Sequence, residues 1–210
     1  MENNFNRREH WEQIYQAKQP HELSWYQATP EISLDLIMEM KLPLSAKIID
    51  VGGGDSLLVD YLLDAGFQNI SVLDISAAAI EKAKLRLGVR AGLVKWIVAD
   101  ITAFIPEEKY DLLHDRAAFH FLTEEHEISA YVKTVTTSLN NKGILVIGTF
   151  SEQGPKKCSG IEIKQYSETG LLDLFQSSFE KIKCFSADHH TPFDTVQNFI
   201  FCSFRKMGEE

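Results

Sequence analysis

No stretch of this sequence approaches the ~20 consecutive apolar residues that a membrane-spanning helix requires. The segment Met1 to Glu12 is polar and charged, which is not the pattern of a signal peptide. Cysteine is scarce: Cys158, Cys184 and Cys202 lie far apart, with no CxxC pair and no metal-ligand cluster. An odd, sparse count fits a reducing compartment, so the protein is expected to be cytoplasmic and soluble, without a bound metal. Basic charge is in deficit: 21 Lys and Arg stand against 30 Asp and Glu, a net charge of -9. An acidic field repels phosphate backbones, which argues against nucleic acid as a partner. No membrane partner is expected either. Repeats and low-complexity tracts are also missing. The 210 residues, 44% of them hydrophobic, suffice for one core but not two.

What is present is an alternation of short apolar runs and helical patterns. Pro30 opens a helix to about Met40, with Ile32, Leu36, Ile37 and Met40 on one side. Strands are expected at 47–51, 70–73, 93–99, 110–114 and 144–150. Helices are expected at 56–65, 77–87 and 124–139, with Gly66 as a C′ residue, Ser76 as an N-cap and a turn at 140–143. Strands alternating with helices imply right-handed crossovers and a parallel sheet covered on both faces. After a helix at 167–177, two strands follow at 180–186 and 196–205 with only a loop between them. They should pair antiparallel. The expected fold is a doubly wound α/β sheet of seven strands, mostly parallel, with an antiparallel C-terminal strand.

The first strand runs into Asp50-Val51-Gly52-Gly53-Gly54-Asp55-Ser56. Glycines at a strand-to-helix turn let a ligand approach the backbone. Gly52 and Gly54 match the first two glycines of a dinucleotide fingerprint, but Leu57 stands at the third. Asp50 and Asp55 would repel a pyrophosphate and suit a ligand carrying cations. S-adenosylmethionine has a sulfonium and an ammonium, so charge selects it over a dinucleotide. Asp74 ends the second strand, where a carboxylate accepts from ribose hydroxyls. Asp100 ends the third, placed to accept from the adenine amino group, with Ile75 and Ile101 as apolar walls.

At this point the sequence resembles the class I S-adenosylmethionine-dependent methyltransferases. Asp50-x-Gly52-x-Gly54 is similar to their first motif, and Asp74 and Asp100 fall where their second and third place acidic residues. Ser56 departs from the third glycine that many members carry. The resemblance implies that Tyr110 to Arg116 is the fourth motif, with the backbone near His114 and Asp115 beside the transferable methyl. It also implies that Trp11, Tyr15 and Ser24-Trp25-Tyr26 cap the cofactor. On this reading one methyltransferase domain spans 1–210: a cap and first helix (1–45), a cofactor-binding half (46–150) and a substrate-side half (151–210). Trp25-Tyr26 and Asp115-Arg116 are also similar to a eukaryotic group of protein lysine methyltransferases. His114 to Leu122 and Cys158-Ser159-Gly160 look closer to small bacterial methyltransferases.

Histidine titrates near neutrality, so His114 and His120 are candidate bases for a protonated nucleophile. Either also fits as a hydrogen-bonded structural residue. Arg116 is a candidate clamp for a substrate carboxylate, or the partner of a nearby acid. The aromatic cap serves either as a lid or as plain core. His189-His190 is read as part of the hairpin loop. There His190 faces substrate, and a metal is disfavoured because adjacent residues on an extended chain point apart. Cys158 is placed near the substrate pocket. The expected partner is a methyl acceptor, a small molecule rather than a protein. Three alternatives stay open: a protein lysine methyltransferase, a non-catalytic cofactor-binding module and a nicotinamide-dependent oxidoreductase.

Overall fold

The computed structural model describes residues 5–208; residues 1–4, the start of the polar N-terminal stretch, lie outside them. Two α-helices precede the sheet, α1 (Arg7–Ala17) and α2 (Glu31–Glu39), with a short 3-10 turn at Pro20–Glu22 between them. Then come β1 (Lys47–Val51), α3 (Leu58–Asp64), β2 (Asn69–Asp74), α4 (Ala77–Leu87), β3 (Val94–Val98), β4 (Tyr110–Arg116), α5 (Glu125–Ser138) and β5 (Leu139–Phe150). A two-residue ribbon of β6 (Lys157–Cys158) and β7 (Ile161–Glu162) leads to α6 (Glu168–Phe175), β8 (Phe179–His190) and β9 (Val196–Lys206).

Seven strands make one sheet in the order β3-β2-β1-β4-β5-β9-β8. β1 to β5 pair parallel, while β9 runs antiparallel to both β5 and β8. The pleat sends neighbouring side chains to opposite faces. Ile48 packs with Leu36 and Leu58 on the α1–α4 side, while Ile49 packs with Tyr131 and Phe175 on the α5–α6 side. Both faces are therefore covered, which is why the strands read as unbroken apolar runs.

Local signals act as expected. Ser76 caps α4 by accepting from Ala79 N at 3.1 Å, and Gly66 takes a positive φ of 91° behind α3. Three details differ. β5 begins at Leu139 and absorbs the expected turn at 140–143, where Lys142 keeps a left-handed φ of 65° and the register with β4 slips. β8 runs on to His190, because a tight turn from Thr191 to Thr195 closes the hairpin. That pairing sets Cys184 opposite Cys202, and the two are joined by a disulfide. An 18-residue spacing gives no hint of this in sequence. Among the described residues no helix is long and apolar enough to cross a membrane.

Candidate active site

The parallel strands end together, and their carboxyl ends open into one cleft. β1 stops at Val51 because Gly52 and Gly54 turn the chain with φ of 65° and 45°. Nothing larger than hydrogen fits there. A Cβ on Gly52 would lie 2.5 Å from the Ala118 Cβ, and one on Gly54 would lie 2.8 Å from the Tyr15 Oη and 2.9 Å from Asp74 Oδ2. A Cβ on Gly53 would meet Asp50 Oδ2 at 2.5 Å. The loop is bare backbone pressed between two strand ends and the cap. Ser56, standing where a further glycine was expected, accepts from Leu58 N at 3.1 Å and so starts α3.

On one side of Gly52, an open pocket is walled by Asp74, Ile75, Asp100 and Ile101, with Trp11 and Tyr15 above. Asp74 is buried, its Oδ1 accepting from Ser76 N at 2.8 Å. Burial pushes its carboxyl up to about 7, and the nearby Asp50 charge adds to this. Asp100 binds the amide and hydroxyl of Thr102 through Oδ1 (2.9 and 2.7 Å) and faces Arg7 through Oδ2 at 3.7 Å. On the other side of Gly52, a smaller recess is lined by Asp50, Gly53, Ser33, His114 and Tyr26. Tyr15, Trp25 and Arg116 line both.

The cap is aromatic because it is at once core and roof. The Trp11 ring meets Trp25 at 5.6 Å and Phe121 at 4.8 Å, edge to face. It is latched by two polar residues that the sequence did not single out. Arg7 pairs with Glu127 at 2.6 Å as well as facing Asp100. Glu12 accepts from Ser76 Oγ at 2.8 Å and from Ala78 N at 3.2 Å, an anion on the positive end of α4. These hydrogen bonds hold the Glu12 carboxyl below its usual range against the pull of burial.

β4 sorts its residues by alternation. His114 and Arg116 face the cleft, and Asp115 faces away. His114 Nδ1 lies 2.7 Å from Asp50 Oδ1 and Nε2 lies 2.8 Å from Ser33 Oγ, so both ring nitrogens are engaged. Asp115 is fully buried; it accepts from the amides of Ala118 and Phe119 and from the Tyr131 hydroxyl, fixing the turn after β4. Burial lifts its carboxyl to about 6. Arg116 donates from Nη1 to the Trp25 carbonyl at 3.0 Å, and its guanidinium lies 4.9 Å above the Phe199 ring. Cys158 is buried in the same wall, and burial raises its thiol.

Three expectations need correction. His120 does not line either recess; it is fully buried, stacked on Phe150 at 4.3 Å, and burial drags it down to about 3. A 3-10 turn at 119–121 sends it under the wall rather than into the cleft. His190 is exposed and touches neither recess, since β8 continues through it; its neighbour His189 points inward and bonds the Ser24 carbonyl at 2.8 Å. Asp55 is held by the Arg86 guanidinium of α4, so its charge is matched within the protein. Among the described residues, no group of three or more His, Cys, Asp or Glu could hold a metal.

Comparison with known proteins agrees with this geometry. Residues 48–143 match the methyltransferase domain family. Over 108 residues the chain is 32% identical to a malonyl-[acyl-carrier protein] O-methyltransferase of Ilyobacter polytropus, covering 50% of this chain and 38% of that one. Over 127 residues it is 26% identical to an eEF1A lysine and N-terminal methyltransferase of Mus musculus, covering 60% of this chain and 18% of that one. The chain thus spans well under half the length of these curated relatives. Among solved structures, NodS, an N-methyltransferase of Bradyrhizobium japonicum in complex with S-adenosyl-l-homocysteine, superposes with a TM-score of 0.67 at 16% identity over 86% of this chain and 89% of that one. A protein that converts a disulfide bond into a thioacetal group in echinomycin biosynthesis gives 0.78 at 17% identity, covering 96% and 94%. Residues 48–143 therefore form a methyltransferase domain, in the fold shared with the S-adenosyl-l-homocysteine-bound NodS.

Proposed function

We propose that this protein transfers a methyl group from S-adenosylmethionine to a small-molecule acceptor, working as a single domain. One observation carries the reading: a buried carboxylate, Asp74, sits beside a glycine turn with no room for side chains, under an aromatic roof at the strands' carboxyl ends. These residues fit the cofactor. Asp74 offers acceptor capacity to ribose hydroxyls, Ile75 and Ile101 offer flat apolar walls to a purine, and Asp100 borders that slot. Gly52, Gly53, Asp50 and His114 border the second recess, where a cationic amino-acid tail finds a carboxylate and backbone. Gly54 packs against Tyr15 and Asp74, and so sets how closely the cap approaches the turn.

When bound, S-adenosylmethionine supplies a methyl group activated by its sulfonium. The chain's own task is to position and to exclude water. Trp11, Tyr15 and Trp25 close over the cleft, and their rings offer π-faces to a cation. Asp115 and its three donors hold the turn after β4, so the wall opposite the glycine loop is rigid. His114 is a positioning residue: its ring is clamped between Asp50 and Ser33, which fixes the Asp50 carboxylate. No free base is required for an acceptor that is already deprotonated.

A protein lysine acceptor is the second reading, favoured by the similarity to the eEF1A lysine and N-terminal methyltransferase. A cytoplasmic setting rests on the odd, sparse cysteines and the polar segment Met1 to Glu12, and the Cys184–Cys202 bond is the observation against it. Calorimetry with S-adenosylmethionine and S-adenosylhomocysteine tests the proposal. Micromolar binding that collapses in Asp74→Ala supports it; no binding to folded protein at millimolar ligand ends it. Turnover on a peptide but on no small molecule would move the assignment to the second reading, and binding without any turnover to a cofactor-sensing module.

A further inference from the structure

Arg116 is a cation of the cleft wall that no ion pair answers among the described residues. Its Nη1 is used on the Trp25 carbonyl, and one face of the guanidinium rests on Phe199. The other two nitrogens, Nε and Nη2, are shut off from solvent and have no partner. No acidic side chain among the described residues forms an ion pair with it, in contrast to Arg7 and Arg86, which each meet two carboxylates. Burial pulls even this guanidinium down to about 10. Its titratable neighbours do not answer the charge. His120 and His189 are held neutral, at about 3 and about 4, by burial and by Arg116 itself, and the Cys158 thiol is raised by burial. The wall therefore carries one net positive charge. A buried cation without a partner is costly, and it stays only where something else completes it.

The geometry selects what completes it. Nε–H and Nη2–H form the side-on edge of the guanidinium, two parallel donors matched to the two oxygens of one carboxylate, which reaches them when the protein packed over that edge shifts aside. The stack on Phe199 and the bond to Trp25 fix the plane of that edge. Arg116 lies on β4, beside Phe150 of β5 and Cys158, across the cleft from Asp74 and Asp100 at the ends of β2 and β3. We infer that Arg116 is the anchor for a monoanionic, carboxylate-bearing methyl acceptor, seated between Arg116, Trp25 and Phe150. This rests on the methyl-transfer reading above. A carboxylate here has two sources, the acceptor or the amino-acid tail of the cofactor, and the test separates them.

Protein saturated with S-adenosylhomocysteine is titrated with benzoate and with its neutral isostere benzamide, followed by calorimetry. Benzoate is expected to bind in the millimolar range with benzamide at least about tenfold weaker, and Arg116→Gln is expected to weaken benzoate about tenfold or more. Affinity for S-adenosylhomocysteine is expected to fall by a smaller factor than affinity for benzoate in the same variant. Equal binding of benzoate and benzamide, or no binding of either, overturns the inference. So does a variant that loses S-adenosylhomocysteine but keeps 5′-methylthioadenosine, which lacks the amino-acid tail; Arg116 then serves the cofactor's carboxylate. If Arg116→Gln does not fold, the benzoate–benzamide comparison on wild-type protein decides alone. Failure of S-adenosylhomocysteine to bind wild-type protein is a different outcome, and it removes the parent reading.

Discussion

Glu12 of α1 and Ser76 at the head of α4 meet at 2.8 Å, joining the cap to the residue two positions beyond Asp74. Cap closure and the ribose-side wall are thereby tied through one hydrogen-bonded carboxylate.

This link sets the first expectation. Glu12→Ala removes acceptors for Ser76 Oγ and Ala78 N, which costs about 1 kcal/mol of stability, given its partial exposure. It should also raise the Kd for S-adenosylhomocysteine by about three- to tenfold, because the roof is no longer held over the cleft. Thermal melts and calorimetry on the same samples check both. A lower melting point with unchanged affinity would show that the latch serves folding alone.

His114 was a candidate base by residue type, but its two ring nitrogens already serve Asp50 and Ser33. His114→Gln should destabilise by about 1–3 kcal/mol, since buried partners are left unmet. It should weaken cofactor binding while leaving the shape of the pH–rate profile unchanged. A profile that loses one limb in the variant would restore the histidine as an acid–base group.

Much of the frame was legible because its signals are local. Ser76 as a cap, Gly66 behind α3 and the alternation of strands with helices are written within a few residues each. So was the placement of Asp74, since a strand end followed by a helix fixes where it points; Asp100 sits past the end of β3 in a turn that it shapes through Thr102. What escaped is long-range. Glu12 and Arg7 read as ordinary surface charges of α1, and their partners lie 64 and 120 residues away. Ser33 looked like one polar position in a helix until β4 brought His114 against it. The histidines near 190 were misplaced for a similar reason: whether β8 stops at 186 or 190 depends on its pairing with β9, not on its own sequence. A shift of one residue in that register would exchange His189 for His190 at the inner face.

His120 offers a direct test of that distinction. Both its ring nitrogens are buried without partners, and the ring stacks on Phe150 with an interplanar angle of 5°. A neutral, unpartnered imidazole behaves as a poor aromatic. His120→Phe removes two unmet polar atoms that cost about 1–3 kcal/mol, set against about 1 kcal/mol for the added volume. The variant should be as stable as the parent or slightly more so, and should keep cofactor affinity. Chemical denaturation measures the first, calorimetry the second. If methyl transfer to any acceptor vanished in a stable variant, the imidazole would have to reach the cleft after all.

The pH dependence of cofactor affinity should belong to Asp74. Its carboxyl is raised to about 7 by burial, so near neutrality the unliganded protein holds a mixture of protonated and ionised forms. Ribose hydroxyls donate to the ionised form and draw the proton off. Affinity for S-adenosylhomocysteine should therefore be flat above about pH 7 and fall below it, by up to about tenfold per unit. Stability of the unliganded protein runs the other way. The folded carboxyl keeps its proton up to about 7, while the unfolded one loses it near 3.8. Between those values the folded state binds more protons, so stability declines as pH rises through the window, by at most about 4 kcal/mol, and levels off above it. Asp74→Asn removes the titration. The difference in melting temperature between the variant and the wild type should therefore widen from about pH 4 to 7 and then hold constant, and the variant's weakened cofactor affinity should no longer respond to pH in the same interval. Parallel pH curves for the two proteins, in either measurement, would place the titrating group elsewhere.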